Sequence, residues 1–307
     1  MRSTAIGIDI GGTNTKFAVV DLDGKVVDPQ SFRTQPDDPF ATYAKRLKEQ
    51  LTAYLTEHKL GMKDVLIGVG LPNYSSKKEL LINPVNLSWG TFPIQEAFSE
   101  LFDCPVYMEN DANVAALGER LWGRGKKVDD FIVVTVGTGI GTGVYSQGKL
   151  LLGHTGQAGE GGHLIVGDEG RPCNCGGKDH FESYCSVLAM KNQVQEKIGK
   201  EMRYHDIVSK FMEGDAEIIQ IYKDTARYFA RGLHQLAVCF SPKKIILAGG
   251  GMAAGEDYLK MIQTEFDTIV FSPLRGQISI EVSDLSTVSG AVLGAAALAF
   301  ERHHQHI

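Results

Sequence analysis

The chain has 307 residues, 43% of them hydrophobic and 22% charged, with 31 Lys and Arg against 37 Asp and Glu. That length is too great for one small core and suits two modest lobes. The formal charge of −6 and the lack of a dense basic run argue against a nucleic-acid binder, and the longest apolar run, Gly290 to Phe300, is Ala- and Gly-rich and too short to cross a membrane.

The first strand is predicted to begin almost at Met1, with an Asp in its middle, so no signal segment is read there and the chain is expected to be cytoplasmic. Thr4 to Val20 reads as strand, glycine turn, strand. Asp21 to Gly24 is a hairpin turn from which Lys25 to Val27 returns. Phe40 to His58 has helical periodicity, with Leu47, Leu51 and Leu55 four apart. Val65 to Val69 is a short buried strand, and Asn73 to Trp89 a loop with a short strand. Ile94 to Phe102 is a helix, Val106 to Glu109 a strand, and Ala112 to Trp122 a helix that follows at once.

The opening pattern then returns. Phe131 to Val136 is a strand, Gly137 to Gly143 a turn, Val144-Tyr145 a new strand, and Gly148 a second hairpin. The repeat of glycine turn plus hairpin implies two lobes built on one plan. Gly156 to Ser186 reads as a Gly-, Cys- and His-rich insertion with little regular structure. Val187 to Phe240 is helical, Ile245 to Leu247 a strand ending in Gly249-Gly250-Gly251, Tyr258 to Ile269 a helix, Ile278 to Val282 a strand and Ser289 to Phe300 a closing helix. Strands alternating with helices predict an α/β fold with helix-covered sheets. The short basic stretch Arg124 to Lys127, followed by Asp129 and Asp130, suits a solvated turn, and His303, His304 and His306 a frayed terminus.

In Asp9-Ile10-Gly11-Gly12-Thr13-Asn14-Thr15-Lys16 a strand feeds a turn whose backbone N–H groups, with the Thr13 hydroxyl, suit phosphate oxygens. Asp9 at the strand end is placed to hold Mg²⁺, directly or through water. Neither the Walker spacing nor G-x-G-x-x-G is present, and the same glycines also suit an ordinary hairpin. A triphosphate held between two lobes needs donors from both, and Gly137-Thr138-Gly139 supplies the second set. Gly249-Gly250-Gly251 would let an adenine or ribose approach the backbone; a flexible strand-to-helix turn fits equally.

Together these motifs resemble the ROK family of sugar kinases and sugar-responsive repressors, within the actin-like, ribonuclease-H-like ATPase superfamily. Asp9 to Lys16 is similar to its first phosphate motif, Val134 to Gly143 to the second and Ile245 to Met252 to the adenosine motif, in the family's order from Ile6 to Ala299. The resemblance implies two ribonuclease-H-like lobes with an interlobe cleft: a small lobe of residues 1–112 with the C-terminal helix 289–307, and a large lobe of 113–288 carrying the insertion 156–186. It implies that Asp9, Gly11, Gly12, Thr13, Asn14, Lys16, Gly137, Thr138, Gly139, Gly249, Gly250 and Gly251 hold ATP with Mg²⁺.

Asn110 and Asp111 match the family's Asn-Asp pair, which binds the sugar, the Asp taking the proton from the attacking hydroxyl; Asp near a helix start also suits a cap. Asn86, in Asn86-Leu87-Ser88-Trp89, and Glu160, His163 and Glu182 match the family's other sugar contacts. Pro72-Asn73 departs from the family's common Pro-Gly, so a side chain at Asn73 would either add a contact to the sugar or narrow the pocket.

Five cysteines, Cys104, Cys173, Cys175, Cys185 and Cys239, argue against a disulfide framework. His163, Cys173, Cys175 and His180 have the spacing H-x9-C-x-C-x4-H in a loop-rich segment, which suits a closed tetrahedral zinc site. In the family the fourth ligand is usually Cys, within Gly-Cys-Leu-Glu; this chain has Asp179-His180-Phe181-Glu182. Cys185 and His154 are the alternatives to His180, and a pair of reduced thiols beside unrelated histidines is the alternative to zinc. A zinc-locked loop would fix Glu160, His163 and Glu182 before the sugar arrives.

The expected activity is therefore glucokinase-like transfer from ATP to a hexose, glucose at the 6-hydroxyl first, with mannose, fructose, allose and N-acetylmannosamine open, by a homodimer. The rivals are a sugar-sensing repressor of the same family, whose extra N-terminal helix-turn-helix has no room before Ile6, and a zinc-binding interaction module, which would need neither phosphate turns nor Asp111.

Overall fold

The structure, a computed structural model, describes residues 3–84, 86–285 and 290–305. In chain order the elements are β1 (Thr4–Ile10), β2 (Asn14–Asp21), β3 (Val26–Arg33), α1 (Phe40–Glu57), β4 (Leu66–Leu71), β5 (Tyr74–Ser75), β6 (Leu80–Leu81), α2 (Ile94–Leu101), β7 (Val106–Asn110) and α3 (Asp111–Leu121). They continue with β8 (Phe131–Val136), β9 (Ile140–Ser146), β10 (Lys149–Leu150), α4 (Phe181–Cys185), α5 (Val187–Ile198), α6 (Tyr204–Met212), α7 (Ala216–Phe240), β11 (Lys244–Ala248), α8 (Gly255–Ile269), β12 (Ser279–Val282) and α9 (Gly290–Gln305). Ser289 and His306 of the expected closing segment lie outside the described residues.

The chain forms two compact units: Met1–Lys126 with Leu152–Ala158 and Leu285–Ile307, and Lys127–Leu151 with Gly159–Asp284. The first unit's sheet has the order β3-β2-β1-β4-β7, antiparallel through β3, β2 and β1 and parallel from β1 to β7. Alternate residues of β1 go to opposite faces. Ile6, Ile8 and Ile10 join Leu47, Leu51 and Leu55 of α1 in one core, while Ala5 joins Val292 and Ala296 of α9 in another. The apolar stripe of α1, read from its four-residue spacing, is thus the face it buries, and each fully buried Leu contributes about 1.5–3 kcal/mol. Gly68 lets α9 lie directly on the sheet: a Cβ there would run into the Ala295 carbonyl.

The second unit repeats the plan, with the order β10-β9-β8-β11-β12, antiparallel through β10, β9 and β8 and parallel from β8 to β12. Val134 and Val136 of β8 and Leu247 of β11 pack there with Phe229 and Leu233 of α7 and Ile262 of α8. Among the described residues no helix is long and apolar enough to cross a membrane.

Several boundaries differ from those expected. The units part after Lys126 rather than at residue 112, because α3 packs along α9, with Gly118 against Gly294, and stays with the first sheet. Residues 156–158 of the expected insertion also belong to the first unit. The second glycine turn ends at Gly139: Ile140 to Gly143 are already strand, paired with β8 as Val133↔Gly143 and Thr135↔Gly141. The partner strand supplies the hydrogen bonds that overrule the weak strand propensity of glycine.

Candidate functional site

In the first unit the parallel strands β1, β4 and β7 end side by side, and their register sets Asp9, Gly70 and Glu109 level across the sheet. Carboxyl ends of parallel strands are where open α/β sheets bind ligands. The chain leaves β1 through Gly11-Gly12-Thr13, closed by the Gly11 N–H donating to the Asn14 carbonyl at 3.1 Å and tied to Thr34, whose hydroxyl donates to the Gly11 carbonyl at 2.6 Å. Thr13 and Asn14 stay exposed. Gly12 lies against Asn86, where any Cβ would meet the Asn86 backbone. The loop holding Asn86 is pinned by its neighbours: Leu87 is buried, and the Trp89 indole N–H donates to the Asp38 carbonyl at 3.1 Å and packs on Tyr43. The structure thus brings Asn86 to the first glycine turn. Asn73 adopts φ 54°, the left-handed region glycine favours and Asn tolerates, so the departure from Pro-Gly keeps the backbone turn.

At the end of β7, Asn110 is the residue that caps α3. Its side-chain oxygen accepts the N–H groups of Ala112 at 2.9 Å and Asn113 at 3.4 Å. The cap read for Asp111 therefore falls one residue earlier, and Asp111 is the first helical residue, its side chain exposed at the positive end of the helix dipole. Desolvation by surrounding protein raises the Asp111 pKa above the usual carboxylate value, although the side chain keeps solvent access. Burial and then the Asp111 charge push Asp9 up to about 6, with Lys16 opposing.

Sequence reasoning passed over Glu109. It is wholly buried, and its carboxylate accepts the Asn110 N–H at 2.9 Å and the Asn113 side-chain amide at 3.2 Å, with the Arg302 guanidinium 3.9 Å away. Burial raises its pKa. It braces the strand-to-helix junction from beneath; its inward alternation next to Asn110 on β7 was the available signal.

In the second unit β8 and β11 are parallel neighbours, and both glycine turns leave their adjacent ends. Gly249, at φ 96°, and Gly251 pack against Val136, the residue before Gly137. Gly137 is closed onto Gly139 and accepts the Val187 N–H at 2.8 Å, which ties it to the start of α5. The Tyr204 hydroxyl, also unforeseen, donates to the Gly251 carbonyl at 2.6 Å. The structure therefore joins Gly137-Thr138-Gly139 and Gly249-Gly250-Gly251 in one corner of the sheet.

The insertion folds back on β9. Thr142 donates to the Gly159 carbonyl and accepts the Gly161 N–H at 2.7 Å, placing exposed Glu160 and His163 on a short helical turn beside that strand. His163, Cys173, Cys175 and His180 converge, with one ligand atom from each within 4.8 Å of the others. Sγ of Cys175 is 3.3 Å from His180 Nδ1, and Sγ of Cys173 is 3.9 Å from His163 Nδ1. Tetrahedral zinc with ordinary Zn–S and Zn–N bonds sets its ligand atoms roughly 3.3–3.8 Å apart. Two thiolates and two imidazoles of this size fit zinc. The alternative Cys185 does not join them: it is buried on α4 with its thiol 3.6 Å from the Thr225 carbonyl. Glu182 stands beside the cluster, accepting the Cys173 thiol and the Ile140 N–H, both at 3.2 Å.

The sequence model of the ROK family matches residues 5–302. The chain belongs to the ROK family. Similar to this ROK chain is the glucokinase of Halalkalibacterium halodurans, 28% identical over 94% of this chain and 93% of that protein. The xylose repressor of Bacillus subtilis is 26% identical over 97% of this chain and 77% of its own length. The structure of a ROK family glucokinase from Streptomyces griseus, in complex with glucose and AMPPNP, superposes with a TM-score of 0.82 at 28% identity, over 97% of this chain and 99% of that one. The two like-built sheets are those of the actin-like ATPase fold.

Proposed function

We propose that this ROK chain is an ATP-dependent sugar kinase that phosphorylates a hexose, glucose at the 6-hydroxyl first among candidates that include mannose, fructose, allose and N-acetylmannosamine. The observation that carries the reading is Asp111: an exposed carboxylate at the first position of α3, close enough to Asp9 for its charge to raise the Asp9 pKa.

Asp111 takes the proton of the attacking hydroxyl as its oxygen bonds to the γ-phosphorus. Its pKa, raised by desolvation, makes it a better proton acceptor than an ordinary Asp. Asn110 has its side-chain oxygen engaged in the cap, so its amide N–H₂ is the group offered to a sugar oxygen. Asn86, Glu160, His163 and Glu182 orient the remaining hydroxyls. The N–H groups of Gly12 and Gly139, with Thr13, Asn14, Lys16 and Thr138, face the phosphates, while Gly11 and Gly137 close the two turns through their own N–H groups, and the turn from Gly249 to Gly251 takes the nucleoside. Mg²⁺, held by Asp9, supplies charge neutralisation on the phosphates. Zinc on His163, Cys173, Cys175 and His180 serves as a structural lock on the insertion. A cytoplasmic homodimer fits the family reading.

A non-catalytic sugar sensor is the second reading, favoured by the similarity to xylose repressors. ADP release with Mg²⁺-ATP, measured against a panel of hexoses and N-acetylhexosamines, separates the two. Turnover with one sugar that is lost in Asp111→Asn supports the kinase; sugar-induced thermal stabilisation without turnover replaces it with the sensor.

A further inference from the structure

Apart from the glycine turns and the sulfur–imidazole cluster, the second unit carries an open cavity of about 320 Å³. Helical spacing builds two of its walls. Gln193 and Lys197 are four apart on α5, and Asp224, Arg227, Tyr228 and Arg231 recur at steps of three and four on α7, so each set shares one face. Glu169 and Arg171 of the insertion complete the lining. Four basic side chains therefore meet two acidic ones, in a chain whose overall charge is −6.

The two carboxylates are already engaged. Asp224 accepts Lys197 at 2.7 Å, Gln220 at 2.9 Å and Arg227 at 3.5 Å. Glu169 accepts the Arg171 Nε–H at 2.8 Å and the Tyr228 hydroxyl. The cations keep donors in hand, because each guanidinium has five N–H groups in a planar fork. Arg171 lies over the Tyr184 ring at 4.5 Å and Arg231 over the Tyr228 ring at 5.1 Å, which holds both forks in place. Arg231 donates to the Val166 carbonyl at 2.9 Å and, among the described residues, has no carboxylate partner.

Gln193 gives an independent sign. It is only 1% exposed, and its Nε2 donates to the Tyr184 carbonyl at 2.9 Å, which fixes the amide's orientation. Its Oε1 is left as a buried acceptor with no donor among the described residues, a state that costs free energy until a donor arrives.

We infer that this cavity binds a small hydroxyl-bearing phosphate monoester, the class to which sugar phosphates belong. A phosphomonoester carries nearly two negative charges at neutral pH and three strong acceptor oxygens. That charge equals the surplus of basic over acidic groups in the lining, and the guanidinium forks suit phosphate geometry. A ligand hydroxyl, or a water it orders, supplies the donor that Gln193 Oε1 lacks. The site takes such an ester whichever sugar the chain acts on.

Calorimetric titration of the full chain tests this, with glucose 6-phosphate, inorganic phosphate and gluconate as probes. Glucose 6-phosphate binds saturably, more tightly than inorganic phosphate and far more tightly than gluconate, and its affinity falls with added NaCl. Lys197→Glu and Arg227→Glu each weaken it by about tenfold or more, the loss expected for a charge-assisted phosphate contact. Both side chains are largely exposed, at 44% and 59%, so the fold tolerates the change; Lys197→Gln and Arg227→Gln serve should a reversal variant fail to fold. Unchanged glucose 6-phosphate affinity in these variants places its binding elsewhere and overturns the assignment, as does equal affinity for gluconate or no binding by the parent chain.

Discussion

Glu182 accepts the backbone N–H of Ile140 at 3.2 Å, which ties the residue after His180 and Phe181 to the first strand residue beyond the Gly137–Gly139 turn. Its other oxygen accepts the Cys173 thiol. One carboxylate thus spans the sulfur–imidazole cluster and a proposed phosphate turn, where sequence reading assigned it only to the sugar.

That double attachment separates two substitutions. Glu182→Gln keeps an acceptor for Ile140, so it raises the KM for sugar while the KM for ATP stays within about twofold. Glu182→Ala frees the turn as well and raises both, by about tenfold or more for a lost charge-assisted hydrogen bond. Steady-state kinetics with each substrate varied checks this; equal effects of the two variants on ATP would remove Glu182 from the turn.

The cap assignment makes a second contrast. Asp111→Asn lowers kcat by about 10²-fold or more, the loss expected for a general base, with the melting temperature and sugar affinity nearly unchanged. Asn110→Ala destabilises by about 1 kcal/mol through the lost cap, read as a lower midpoint in denaturant. Parent-level turnover in Asp111→Asn would refute the base assignment.

Asp9 gives a pH dependence. Its folded pKa, about 6, lies above the ordinary 3.8, so the fold favours the neutral acid. Its contribution to stability is complete below the unfolded value and is lost as pH rises through about 6. Asp9→Asn, which has no charge to form, therefore gains stability relative to the parent between these pH values when Mg²⁺ is withheld. The same ionisation readies the site for Mg²⁺, so kcat/KM for Mg²⁺-ATP falls below a pH of about 6. Because Asp111 contributes to the shift, Asp111→Asn lowers the Asp9 pKa, measurable by carboxyl NMR titration.

Metal analysis of the purified chain finds about one zinc per chain. Cys175→Ser and His180→Ala reduce the zinc content and the melting temperature, while His180→Cys, restoring the family's usual ligand, retains both. A folded, active preparation without zinc would eliminate the structural-zinc proposal.

Much of the fold was legible because its causes are local. The spacing of Leu47, Leu51 and Leu55 marked α1, the run Phe131 to Val136 marked β8 at both ends, and the repeated glycine turn and hairpin announced two sheets that share one strand order. The cluster of His163, Cys173, Cys175 and His180 was readable for the same reason, since its four donors lie within one short loop segment.

Tertiary structure decided what depends on distant partners. Ile140 to Gly143 became strand because β8 lies alongside, and Gly68 is required because α9, more than two hundred residues later, rests on it. The cap passed to Asn110 because chain direction at the end of β7 aims its side chain at the Ala112 and Asn113 N–H groups. Glu109 is buried by the packing around the sheet, and Asp9 feels Asp111 because parallel pairing brings strand ends a hundred residues apart to one edge. Local propensity and motif spacing reside in the chain itself, whereas burial, pKa and register arise only when separate segments exclude water from one another.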